Sequence, residues 1–172
     1  MGWTRIAGMT VLGVLGLAAV AGAAAAHDPE AVLPERDPAF RPELVSADFT
    51  SRAVRPGRPV GVSLRFRNEG SRPAVGDYRV FVHFEFPERG CDNIAFQADH
   101  MPTVPTSLWQ PGHVVTDGPH VVRIPEAGLE AGEYAIHIGV FSPGGGGFRL
   151  LDTYEAGVLT ISPDAPVSEL QR

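Results

Sequence analysis

The feature that most restricts this chain is a two-residue alternation of apolar and polar side chains, repeated in short runs between prolines and glycines. Val60, Val62, Leu64 and Phe66 alternate with Gly61, Ser63, Arg65 and Arg67, the pattern of a strand with one face in a core and one in water. Tyr78, Val80, Val82, Phe84 and Phe86 alternate in the same way with Arg79, Phe81, His83 and Glu85. Tyr134, Ile136, Ile138 and Val140 alternate with Ala135, His137, Gly139 and Phe141. Further β-type runs occupy Leu44–Arg52, Asn93–Ala98, His120–Ile124 and Tyr154–Ile161, and no window from Leu44 onward carries a helical period. Gly 20 and Pro 16 in 172 residues supply the turns that such a series needs. The pattern predicts an all-β fold: seven short strands forming an antiparallel sandwich over residues 44–162, with a flexible tail at 163–172.

Charge and cysteine content exclude several function classes. The net charge is −6, and all 14 basic residues are arginine without a basic run. A nucleic-acid partner is therefore not expected, because phosphates need a positive face. A single cysteine, Cys91, allows neither an internal disulfide nor a Cys-based metal cluster. Its loop, Glu88-Arg89-Gly90-Cys91-Asp92-Asn93, contains no histidine to act as a base, so it is read as non-catalytic.

The start of the chain points to export. Arg5 precedes a charge-free stretch from Ile6 to Ala26 that ends in Ala23-Ala24-Ala25-Ala26, the small-residue pattern of a signal-peptidase site. The same stretch, as a helix, rises about 31 Å and would span a hydrocarbon core. Residues 1–26 are thus either a cleaved signal peptide or a signal-anchor helix. In the second case Ile6, Gly13, Gly16 and Val20 lie within the membrane helix, its glycines allowing close helix contact. Both cases put the remainder on the periplasmic or extracellular side. Residues 27–43 carry Pro29, Pro34, Pro38 and Pro42 among charged side chains, a spacer that forbids a helix and favours an extended path.

The six residues Leu129-Glu130-Ala131-Gly132-Glu133-Tyr134 resemble the tyrosine corner of immunoglobulin-like and fibronectin type III domains. That resemblance implies an immunoglobulin-like sandwich in which the Tyr134 hydroxyl bonds to backbone upstream. Ile136 stands where an antibody domain has its strand-F cysteine, so packing alone would hold the core. The stretch Asp99–Gly112 is similar to a loop of exported bacterial accessory sandwich domains. It implies a module outside the membrane and brings no catalytic residue.

Chemistry-bearing side chains give three expectations. His83 and His137, with Phe81 and Phe141, are expected on the outer face of one sheet, a partly apolar patch for a partner. Trp109 is expected to plug one end of the sandwich or, alternatively, to offer a ring to a partner or a carbohydrate. His27 would become the N-terminal residue after cleavage, and its amine and imidazole, with Asp99 and His100, form an alternative copper site; otherwise no cofactor is expected. Gly144–Gly147 is followed by a strand rather than a helix, so nucleotide binding is not expected. Ser107 lacks a nucleophile elbow, and Asp92, Asp99 and Asp117 form no paired motif for acid–base work. The expected function is a non-enzymatic periplasmic or cell-surface interaction module, an accessory subunit tethered to or docked on a membrane protein complex or cell-envelope protein. Copper binding and carbohydrate binding are the alternatives.

Overall fold

The computed structural model describes residues 37–86, 93–142 and 149–167. Three strands, β1 (Pro42–Phe49), β3 (Pro59–Asn68) and β6 (Val114–Arg123), form one sheet in the order β1-β3-β6. Five others, β2 (Ala53–Val54), β4 (Arg79–Glu85), β5 (Ile94–Gln97), β7 (Gly132–Ser142) and β8 (Arg149–Ile161), form the second in the order β2-β8-β7-β4-β5. Every pairing is antiparallel except that of β2 with β8. A single turn of 3-10 helix at Thr106–Leu108 is the one helical element among the described residues. No described helix is long and apolar enough to cross a membrane. The expected leader, with Ile6, Gly13, Gly16 and Val20, lies outside the described residues.

The alternation read from sequence is what builds the core. Val60, Val62, Leu64 and Phe66 from β3 meet Val80, Val82 and Phe84 from β4 and Tyr134, Ile136, Ile138 and Val140 from β7, all buried. One end of the sandwich is filled by aromatic rings. Trp109 stacks on Phe66 at 5.3 Å and lies 6.0 Å from Phe40, which in turn stacks on Tyr78. The indole N–H donates to Val104 O at 2.8 Å, so Trp109 is buried with its polar atom satisfied. Phe40 and the buried Asp37 belong to the segment expected as spacer, and this end of that segment packs into the sandwich. Asp37 accepts a 2.9 Å hydrogen bond from Arg72 there. At the other terminus, Ala165 is buried and accepts from Arg55 Nε at 2.7 Å.

Among the described residues eight strands replace the expected seven, and the difference has a local cause. After Phe49 the chain leaves the three-stranded sheet, and Ala53 and Val54 pair beside Thr160 and Ile161 of the other. Arg52 holds this crossing, reaching Ala156 O at 2.7 Å and Ala47 O at 3.3 Å while lying over the Phe49 ring. A two-residue strand is too short to leave a period in the sequence. The expected strand His120–Ile124 is the second half of a longer one, β6, whose first half is hidden by Gly118-Pro119. Gly118 has φ +113°, and an added Cβ would stand 2.7 Å from Val62 O. Glycine alone fits there, and Pro119 is accommodated because β6 is an edge strand.

The burial of Trp109 rules out a ring offered to a partner or sugar and makes it a packing residue. Trp109→Ala is expected to destabilise the domain by about 3–5 kcal/mol, measured as a shift of the urea unfolding midpoint.

Candidate functional site

The described polar groups converge most tightly at the edge where the two sheets meet. Beyond β5 the chain continues alongside β4: Ala98 N donates to Val82 O, and His100 and Val80 exchange both backbone hydrogen bonds, each 2.9 Å long. This holds His100 at the edge of the five-stranded sheet. On the other sheet, β6 sets Asp117 opposite Leu64 and His120 opposite Val62. Three residues of β6 thus span what two of β3 span. The bulge at Gly118-Pro119 lets Asp117 and His120, three apart, share the inward side of their strand, where regular alternation would separate them.

Asp117 has no exposed surface and is met by four donors. Thr103 N at 2.8 Å, Thr103 Oγ1 at 3.0 Å and His120 Nε2 at 2.8 Å approach Oδ1, while His100 Nε2 stands 2.9 Å from Oδ2. Thr103 Oγ1 in turn accepts from Gly118 N at 3.1 Å. The two imidazole rings lie 3.9 Å apart, centroid to centroid, and remain partly exposed at the edge.

This arrangement moves the protonation equilibria. Burial pushes the Asp117 carboxyl up, but hydrogen bonds from His100, Thr103 and His120 outweigh it and hold the pKa well below the ordinary 3.8. For His100, burial disfavours the charged ring. The Asp117 contact and the 2.8 Å contact of Nδ1 with Ala98 O reverse that, and the pKa is raised above 6.5. With both ring nitrogens facing acceptors, the imidazolium fits better than the neutral ring.

The expected outer-face pair forms a second cluster. His83 and His137 are register partners on β4 and β7. His137 Nδ1 lies 3.0 Å from Glu85 Oε2, and His83 Nε2 lies 3.3 Å from Asp99 Oδ1. Burial lowers the His83 pKa despite the attraction of Asp99 and Glu85. The Phe81 ring lies 4.6 Å from that of His83, tilted against it by 38°. Phe81 and Phe141, however, are 2% and 1% exposed, which corrects the expectation of an aromatic contact surface. Phe81 lies down across Gly139, where an added Cβ would come within 2.6 Å of its Cζ.

The residues offered for copper divide between these clusters. Asp99 approaches His83, and His100 turns to Asp117 instead. His27, Cys91 and Gly144–Gly147 lie outside the described residues. Asp117 and His120 are the participants that sequence reading passed over. The available signal was Asp-Gly-Pro-His, in which a strand-breaking pair changes the parity of the residues on either side.

No family model matches the chain, and no curated protein matches it. Among solved structures, β-glucosidase 3B from Thermotoga neapolitana in complex with α-D-glucose is similar at 22% identity and a TM-score of 0.37, covering 69% of this chain and 16% of that one. The same enzyme in complex with glucose and with glycerol aligns at 19% identity and a TM-score of 0.36, covering 70% of this chain and 17% of that one. The chain spans about a sixth of the length of these enzymes, and a superposition this loose transfers no activity.

The pKa directions give a signed prediction. The raised His100 pKa contributes stability that is full below pH 6.5 and lost as pH rises through the folded-state value. The lowered Asp117 pKa contributes stability present above pH 3.8 and lost as pH falls through its folded value. The edge cluster is therefore strongest between about pH 4 and 6.5. His83, with a lowered pKa, runs the other way, costing stability as pH falls below 6.5 and nothing above it, so a difference measurement isolates the edge. The melting-temperature gap between the natural chain and His100→Gln is expected to shrink as pH rises from about 5.5 to 8.5.

Proposed function

We propose that this chain is an exported, non-enzymatic interaction module, an accessory subunit tethered to or docked on a membrane protein complex or another cell-envelope protein. The observation that carries this reading is the outer face of the five-stranded sheet. The β4–β7 register sets His83 beside His137 there, each near its own carboxylate, with Phe81 packed beneath His83. Half-buried side chains already restrained in this way lose little further freedom when a partner covers them. Glu155, exposed and in register with His137, extends the polar surface onto β8. Arg5 followed by the charge-free Ile6–Ala26 supports export.

We infer further that the sandwich is immunoglobulin-like. The Tyr134 hydroxyl donates to Glu130 O at 2.7 Å, four residues upstream, which is tyrosine-corner geometry. Ile136, in the position of the missing cysteine, is fully buried.

Photo-crosslinking in cells that express the full-length chain tests the docking reading. A photoreactive residue at position 137 or 155 is expected to give a discrete adduct with a cell-envelope protein, and the chain is expected in the exported fraction. The same residue at position 65, on the outer side of β3, is expected to give none. A cytoplasmic chain, or equal labelling from all three positions, would overturn the reading.

A further inference from the structure

The sheet-edge cluster also has the donor set of a metal centre. We infer that His100 Nε2, an Asp117 carboxylate oxygen and His120 Nε2 form a binding site for a divalent transition cation of the zinc–copper class. This inference is independent of the docking reading and uses a different part of the sandwich.

The geometry is close to what an ion needs. One ligand atom from each residue lies within 4.8 Å of the others, and the two Nε2 atoms stand 2.9 and 2.8 Å from the carboxylate. Ligands held at about 2.0–2.1 Å around a tetrahedral ion are roughly 3.3 Å apart. Closing the set on an ion therefore takes movements on the order of 1 Å.

The surroundings orient the ligands. His100 Nδ1 lies 2.8 Å from Ala98 O. A proton on Nδ1 satisfies that carbonyl and leaves Nε2 as the coordinating nitrogen, the way an outer carbonyl fixes the tautomer of a metal-bound histidine. Thr103 fixes the carboxylate by donating to Oδ1 from both N and Oγ1. The partial exposure of both histidines gives an ion a route from solvent and room for water as a further ligand. Two imidazoles with one carboxylate suit zinc or copper, whereas magnesium and calcium favour oxygen donors.

The test is calorimetric titration of the untagged full-length chain with Zn2+, repeated with Cu2+ and with Mg2+ as control. One equivalent of Zn2+ or Cu2+ is expected to bind and Mg2+ is not. Binding is expected to weaken at least tenfold in His100→Gln and in His120→Gln, and to be unchanged in His113→Gln. Both cluster variants also lose a hydrogen bond to Asp117, so nitrogen NMR of the natural chain provides a reading without mutation. Zn2+ is expected to shift Nε2 of His100 and His120 and to leave His83 and His137 in place. Failure of both Zn2+ and Cu2+ to bind would overturn the site. So would undiminished binding in both Gln variants, which would put the ion elsewhere (at His27, for example), or NMR shifts confined to other histidines.

Discussion

A carboxylate with no exposed surface is tolerable only when donors replace the water it has lost, and at Asp117 those donors come from three residues on two stretches of chain. Thr103 and His100 both belong to the long connection between β5 and β6, His100 where that connection bridges to β4 at the edge of the five-stranded sheet, and His120 belongs to β6 itself. Meeting the needs of one side chain therefore fixes where that connection lies and how the two sheets approach along this side. A hydrophobic side chain at position 117 would fill the space but specify none of these partners. Removing one partner from a buried, charged cluster leaves the charge uncompensated, which is why such arrangements cost more to break than to replace whole.

The end of the sandwich is closed by the same logic with a neutral group. Asn68 is fully buried and uses its whole amide. Oδ1 accepts from Arg41 N at 3.3 Å and Gly70 N at 2.8 Å, and Nδ2 donates to Arg72 O at 2.9 Å and Trp109 O at 2.8 Å. This gathers the segment before β1, the turn after β3 and the connection carrying Trp109 around one residue. An amide does this without gaining or losing a proton in the working range. The Asp117 edge uses a carboxylate and the His100 imidazole instead, and each shifts the proton equilibrium of the other.

What could be read from the sequence follows from the range of the forces involved. The inward positions of β3, β4 and β7 were legible because burying every second side chain is a local pattern, and the side-by-side placement of His83 and His137 follows from pairing those two strands. The bond from the Tyr134 hydroxyl to upstream backbone was legible because it spans only four residues. The Asp117 cluster was not. It depends on a bulge that reverses strand parity between Asp117 and His120, and on a partner, His100, delivered by the opposite sheet. The burial of Phe81 was hidden for a similar reason. Its position in the alternation is outward, and only the neighbouring strand's Gly139 explains how the ring lies against the sheet instead of standing in solvent.

The contrast between the two histidine clusters shows that proximity to a carboxylate does not by itself decide the charge on an imidazole. His83 has Asp99 at 3.3 Å and Glu85 on its own strand, yet its pKa falls, because burial outweighs the attraction of both carboxylates and the Asp99 contact, and the neighbouring His137 opposes a second charge. His100 is also buried in part, yet its pKa rises, because two short contacts offer acceptors to both nitrogens. The deciding quantity is the balance between burial and the contacts that the charged ring makes, rather than the number of nearby negative charges alone. One fold thereby holds a histidine poised to give up a charge on its sheet face and another poised to keep one at its edge. Only the second faces a carboxylate whose remaining contacts are already fixed in place by backbone and threonine.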